Sequence, residues 1–332
     1  MPAVRSTRKR SWRSSRTRSS APQGAAGSLP DRPPTLLPHE TDPMQKSLGL
    51  SIFVSLLPAI ALFVTFLAFP FATILMTSFF EWNAAGMTFN GGANYLELWD
   101  SRSFRSALQN TAIWVGAAVL IHVPLAAVLA MILSRRVKGW KVFRTLFFLP
   151  NIVSYSALAI VFLGFYNARY GALNMLLEDI GLGHLQQDWL FQYDTALYAL
   201  IATWIFHVGL YMIIIMAEIA SIPEDMYEAA VIEGASEVQQ DWYITLPLLR
   251  NVIGTCMILT VTQSLIYFEG IFLTTKGGPA NASLNMSMAT YRAFETFDWG
   301  EANAIGMHIV LLGVVAIVLI RHVFRIGERD FD

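Results

Sequence analysis

Six stretches of the chain, at about residues 51–80, 107–133, 146–166, 196–220, 251–273 and 302–324, are each long and apolar enough to cross a bilayer, which takes roughly 20 mostly hydrophobic residues in a helix. Hydrocarbon offers a backbone no water, so uninterrupted apolar runs of this length satisfy their own N–H and C=O groups as α-helices. Only 14% of the residues are charged, against about a quarter in soluble domains. The expected fold is therefore all-α, a polytopic membrane protein with six transmembrane helices. Pro58, Pro70, Pro124 and Pro150 interrupt these stretches and predict kinks rather than breaks, because neighbouring helices can satisfy the freed carbonyls. The single cysteine, Cys256, lies in an apolar run, which excludes an intramolecular disulfide and predicts a buried thiol.

Basic residues set the orientation, since loops rich in lysine and arginine stay in the cytoplasm. Of the chain's 23 lysines and arginines, all but Arg102, Arg105, Arg169, Lys276 and Arg292 fall on the side that holds both termini and the loops at 134–144 and 221–250. Both termini and the 221–250 loop are thus expected to be cytoplasmic. Residues 1–47 carry the basic run 4-VRSTRKRSWRSSRTRSS-20 and then a Pro/Gly/Ala/Ser stretch. Without apolar periodicity they read as a disordered tail, with a start at Met44 as the alternative. Such a run can meet acidic lipid or nucleic acid; a solvated tail is the simpler reading, and no nucleic-acid partner is expected. The apolar run after residue 48 is too long for a signal-peptide core. Residues 48–326 then form the membrane domain, and 327–332 a short cytoplasmic C-terminus.

Between the fourth and fifth stretches lies 223-PEDMYEAAVIEGASEVQQDWYITLP-247, polar and acidic where its neighbours are apolar. Ser221-Ile-Pro-Glu224 and Ser236-Glu-Val-Gln239 both have the spacing of a capping box, in which the first and fourth side chains satisfy free backbone N–H groups reciprocally. Gly234 can take the left-handed conformation that ends a helix. The loop therefore predicts a helix over roughly 223–233, a tight turn at 234–235, and a second helix leading into the fifth span. On the first helix Met226, Ala230 and Gly234 share a face, with Ala229 and Glu233 beside them, and Glu228 offers an anionic contact. Small residues there let another surface come close. That surface is either another protein or the chain's own membrane domain, and helix physics alone weighs the two evenly.

These residues resemble the inner-membrane permease family of binding-protein-dependent ABC importers. Its signature is EAA, three residues, G, nine residues, then I-x-L-P, and Glu228-Ala229-Ala230, Gly234, Ile244, Leu246 and Pro247 match it throughout. The stretches 143-FRTLFFLPNIVS-154, 166-YNARYGALN-174, 268-FEGIFLTTKGGP-279 and 305-IGMHIVLL-312 are similar to the carbohydrate branch, of the maltose and glycerol-phosphate type. Two departures, Glu233 and Glu269, place glutamate where aspartate is common. The resemblance implies a permease subunit of an ABC sugar importer, a multi-pass protein of the bacterial plasma (inner) membrane surrounded by lipid. It implies that the 221–250 loop holds a coupling helix that docks on a cytoplasmic dimer of ATP-binding subunits. It further implies a second permease subunit as heterodimer partner and an external solute-binding protein.

No G-x-x-x-x-G-K-[ST] phosphate loop occurs, so ATP is expected to be bound by a separate subunit. No catalytic residue, metal site or cofactor is expected. Polar and ionisable residues inside spans are costly and usually face the bundle interior. Residues suited to hydrogen-bond and stack against a sugar are Asn151, Ser154 and Tyr155 in the third span, Trp204, His207 and Tyr211 in the fourth, and Gln263, Tyr267 and Glu269 in the fifth. His207 and Tyr211 are four apart and share a helical face. Each also has a structural reading: Asn151 as a cap of a broken helix, Trp204 and Tyr211 as interhelical filling, His207 as a structural donor, Glu269 as a partner of Lys276. His122, beside Pro124, is read as structural. A permease for glycerol phosphate or another polyol is the alternative within transport; a membrane sensor or enzyme with a partner-docking hairpin is the alternative outside it.

Overall fold

The computed structural model describes residues 43–326. The tail up to residue 42 and the C-terminal 327–332 lie outside the described residues, as does the reading of either as a solvated terminus. By its contacts the chain separates into Met1–Pro58 and Ala59–Asp332. Of the first unit the described part is helix from Pro43 onward, which includes the last residues of the stretch read as tail. The features below belong to the second unit, apart from residues 52–58 at the start of the first apolar helix.

Among the described residues, five helices are long and apolar enough to cross a membrane: Ile52–Thr77, Arg102–Ser134, Ala196–Ile219, Arg250–Leu273 and Trp299–Phe324. A pair, Trp140–Asn151 and Tyr155–Phe165, bent by 100° at a short break, makes a sixth when its two halves are counted as one span. The protein is all-α and polytopic, apart from an antiparallel hairpin that pairs Phe80–Asn83 with Gly86–Phe89.

The prolines act in two ways. Before Pro70, Pro124 and Pro247 the helix widens into one π-turn, at Val64–Ala68, Ala118–His122 and Asp241–Thr245. In each case the residue preceding proline donates its N–H five residues back, to the carbonyl of Val64, Ala118 or Asp241. A proline cannot donate and its ring crowds the carbonyl four residues back; the wider turn relieves the crowding and keeps the helix continuous. Pro150 instead breaks its span, where a kink was expected. There a 3₁₀ turn at Leu149–Asn151 ends the first helix, and Ser154 starts the next by accepting a hydrogen bond from the Ala157 N–H at 3.2 Å. This cap, three residues after the turn, lets the chain restart in a new direction.

The fourth span bends where the third breaks. His207 has φ −79° and ψ 15°, outside helical values, within the turn Phe206–Val208. The next glycine, Gly209, faces the break, and a Cβ there would lie 2.2 Å from the Phe147 carbonyl oxygen. Only glycine allows that approach. Around these bends the interior forms two packed groups. One gathers Phe104, Trp114, Leu200, Trp204, Tyr267, Leu284 and Met286; the other gathers Val123, Ala130, Met212, Ile215, Leu249, Ile253 and Cys256, towards the end that carries the 221–250 loop. Cys256 is a buried free thiol.

Candidate functional site

The 221–250 loop folds as a hairpin of short helices. Its first helix is Glu224–Ile232, and Gly234 ends it in the left-handed region at φ 82°. The Ala235 N–H bonds to the Ala230 carbonyl at 2.9 Å and the Gly234 N–H to that of Val231 at 3.0 Å, so the last carbonyls are satisfied by the turn itself. A Cβ on Gly234 would meet nothing within 4 Å. Glycine is therefore required here by the backbone conformation, and the space beside it is open. Of the two expected capping boxes, one forms. Ser236 and Gln239 satisfy each other's backbone N–H groups at the start of Glu237–Gln240. The box at Ser221 does not form, because Pro223 takes the N-cap position with extended backbone and no side-chain bond. Ser221 instead donates to the Glu218 carbonyl at 2.7 Å.

The Glu224–Ile232 helix buries none of its residues. Glu228 and Ala229 are exposed, Ala230 is half-buried, and Ile232 is 87% exposed. A side-chain bond joins its Tyr227 hydroxyl to the buried Thr245 hydroxyl at 3.0 Å. Ile244 and Leu246 turn inward and are half-buried, whereas Pro247 is exposed. The signature residues thus divide between an outward helix and an inward foot.

In the membrane bundle the structure brings some of the expected pathway residues together and separates others. The Tyr155 ring stacks on His207, with centroids 4.7 Å apart and planes at 22°, and meets Tyr267 edge-on at 5.9 Å. With Leu158, Phe162, Leu200 and Thr203 these three line a cavity of about 10 Å³, barely room for one water. Trp204 and Tyr211 pack against His122, at 4.2 and 5.3 Å, and Trp204 belongs to the same packed group as Tyr267. Asn151 sits in the 3₁₀ turn with its Nδ2 unpartnered, and Ser154 is the cap described above. Gln263 and Glu269 are exposed.

Two buried groups in this cluster were missed or set aside from sequence. His122 bonds Thr260 at 3.2 Å through Nδ1 and leaves Nε2 without a partner; Trp114 Nε1 and His207 Nε2 are likewise unpartnered. The signal for His122 was present, because an ionisable residue inside a span is by default a functional candidate. Trp114 carried no such signal.

The connection after the fifth span, at 274–285, is irregular but tightly held. The Asn110 side-chain nitrogen lies within 3.1 Å of the carbonyls of Asn281, Ala282 and Leu284. Asn285 donates to the Tyr267 carbonyl, and Thr111 accepts from the Met286 N–H at 3.0 Å. Arg292 reaches Asn281 Oδ1 at 2.8 Å and the Lys276 carbonyl. Partial burial lowers the Arg292 pKa from its usual value, and guanidinium stays charged regardless. A hydrogen bond to the Glu295 carboxylate raises that of Tyr291.

Apolar helices joined by an ordered hairpin with an exposed outer helix define a polytopic membrane protein. Residues 122–330 match the family described as binding-protein-dependent transport system inner membrane component, and the chain belongs to it. It is 31% identical over 285 residues to "Probable ABC transporter permease protein YurN" of Bacillus subtilis (strain 168), covering 84% of this chain and 97% of the relative. It is 30% identical to the lactose transport system permease protein LacF of Rhizobium radiobacter, over 82% of this chain and 92% of that one. A solved bacterial alginate ABC transporter, in complex with an alginate pentasaccharide-bound periplasmic protein, superposes with a TM-score of 0.74 at 25% identity over 86% of this chain and 98% of that one.

Proposed function

We propose that this chain is one permease subunit of an ABC importer for a sugar, pairing with a second permease and driven by a separate pair of ATP-binding subunits. The observation that carries the reading is the Glu224–Ile232 helix, folded and fixed at both ends while burying none of its residues. A helix that does not pack on its own protein is stable against something else. That favours an external partner over the alternative that the hairpin packs on its own membrane domain. In this reading Glu228, Ala229, Ala230 and Gly234 meet the ATPase, while Ile244, Leu246 and Pro247 carry its movement into the fifth span. Both termini and this hairpin are cytoplasmic, and the solute-binding protein docks at the opposite, external end.

The substrate path runs past Tyr155, His207 and Tyr267. These rings and the Thr203 hydroxyl offer stacking faces and hydrogen bonds, and no lysine or arginine lines their cavity. That suits a neutral sugar better than a glycerol phosphate. The cavity is too small for a sugar as it stands, so the bent third span must move away from the fourth and fifth for one to pass. ATP can bias such movement only if the hairpin docks differently in the two states.

The test is co-purification with the candidate ATPase and second permease, followed by ATP hydrolysis in liposomes supplied with binding protein and sugar. Stimulated hydrolysis is expected from the intact chain, and both assembly and stimulation should be lost in Gly234→Trp. An intact chain that recruits no ATPase would sink the proposal.

A further inference from the structure

The second span, Arg102–Ser134, ends at Arg135, whose backbone closes the helix and is followed by a left-handed Arg136 at φ 53°. Arg135 reaches the hairpin across the loop end. One guanidinium nitrogen, Nη1, bonds the Glu237 carboxylate; Nη2 bonds Asp241 Oδ2 at 2.6 Å and the Glu237 carbonyl at 2.9 Å. Glu237 and Asp241 are one turn apart, on the face of the second hairpin helix. Both are themselves fixed: Glu237 follows the Ser236 capping box, and Asp241 opens the π-turn whose closing bond runs from the Leu246 N–H to the Asp241 carbonyl. Three bonds from one planar fork define a direction as well as a distance, which a lysine in the same place could not do.

This link joins parts that are otherwise spaced apart. Arg135, Glu237 and Asp241 line a cleft of about 620 Å³ together with Arg136, Trp140, Arg144, Glu224 and Tyr227. Tyr227 to Thr245, Gln239 to Ser236 and Gln240 to Ala235 are bonds within the hairpin, and Ser221 at its start bonds back only to Glu218 at the end of the fourth span. Arg135 therefore bridges from a different span to the short helix that runs into Pro247 and the fifth span. The side chains of the bridge remain partly open to water, at 32% for Arg135, 76% for Glu237 and 27% for Asp241. Pairs so exposed contribute little to stability and are weakened by salt; their value is geometric.

We infer that Arg135 is a positioning residue of the transport cycle, holding the end of the second span to the coupling hairpin so that displacement of the hairpin moves the second and fifth spans together. The inference rests on the transporter reading above. It does not place Arg135 against ATPase or substrate.

Two measurements test it. The assembled transporter in liposomes, carrying Arg135→Gln, should retain its ATPase on co-purification yet carry about fivefold less sugar per ATP hydrolysed, the scale of a modest loss of coupling between sites. The triple reversal Arg135→Glu, Glu237→Arg, Asp241→Arg should restore most of that ratio, and raising ionic strength should lower the ratio in wild type but not in Arg135→Gln. In the chain alone in nanodiscs, Arg135→Gln should speed hydrogen exchange at residues 237–245 by about threefold, reporting local opening. An unchanged ratio of sugar to ATP, or loss of the ATPase on purification, overturns the positioning role. Unchanged exchange overturns the clamp itself. A wild-type chain that recruits no ATPase overturns the transporter reading, and the role with it, while the exchange rates still report on the clamp, so the two failures are told apart.

Discussion

The Glu224–Ile232 helix and the 274–285 connection both join spans, and they use their backbones in opposite ways. The helix is regular and buries nothing. The connection is irregular, with Lys276, Gly277, Ala280 and Asn281 all at positive φ, yet Ser283, Leu284 and Asn285 within it are fully buried. A helix satisfies its own backbone groups apart from its ends, so once Gly234 and Ser236 cap the turn it asks nothing of its neighbours. Apart from Tyr227, which bonds Thr245, and the half-buried Ala230, its side chains stay open to meet a partner. An irregular segment in the interior has no such internal ladder, and its carbonyls must be met by side chains from elsewhere. Asn110 and Arg292 supply them, and the connection is thereby committed to its own fold.

The sharpest test of that contrast is Asn110→Ala, which strips three carbonyls of their donor. It should cost about 3 kcal/mol, since leaving buried acceptors unpaired carries their desolvation penalty, and the loss is read as a lowered unfolding midpoint in detergent. Ser236→Ala removes only the box that starts the second hairpin helix and should cost about 1 kcal/mol in the same assay. Ala280→Gly relieves a left-handed alanine at φ 46° and should raise stability by roughly 0.5 kcal/mol, the strain gain being partly offset by the entropy of glycine in the unfolded chain. Ile232→Asp should change stability least, within about 0.5 kcal/mol, because the side chain is already in water. The same variant should nevertheless weaken ATPase recruitment. A large loss of stability from Ile232→Asp would mean that the helix packs on its own protein, and the comparison would collapse.

Much of the hairpin was legible because capping is local. Gly234, followed two residues later by Ser236 with Gln239 three beyond, marks a turn and a restart in any context. The Ser221 box had the same letters and failed, because Pro223 occupies the cap position and moves the start of the helix past the serine's reach. The spans were legible from length and apolarity, and Pro70, Pro124 and Pro150 marked where each would be disturbed. Sequence did not distinguish a π-turn from a 100° break. That choice depends on whether a neighbour is shaped to receive the break, here Gly209 against Phe147. The pathway candidates were chosen by residue type, and only packing decided their partners: Tyr155 meets His207 and Tyr267, while Trp204 and Tyr211 meet His122.

What this sequence determined alone is what a backbone decides within a few residues: apolar runs that must be helices, a left-handed stop at Gly234, a capped restart at Ser236, and the places where proline withholds a hydrogen bond. The tertiary structure decided everything that links distant residues. The bond from Asn110 to the carbonyls beyond residue 280, the stacking of Tyr155 on His207, and the reach of Arg135 to Glu237 and Asp241 join groups tens to hundreds of residues apart. No local rule encodes them, because they exist only once packing has brought the helices to fixed angles and distances.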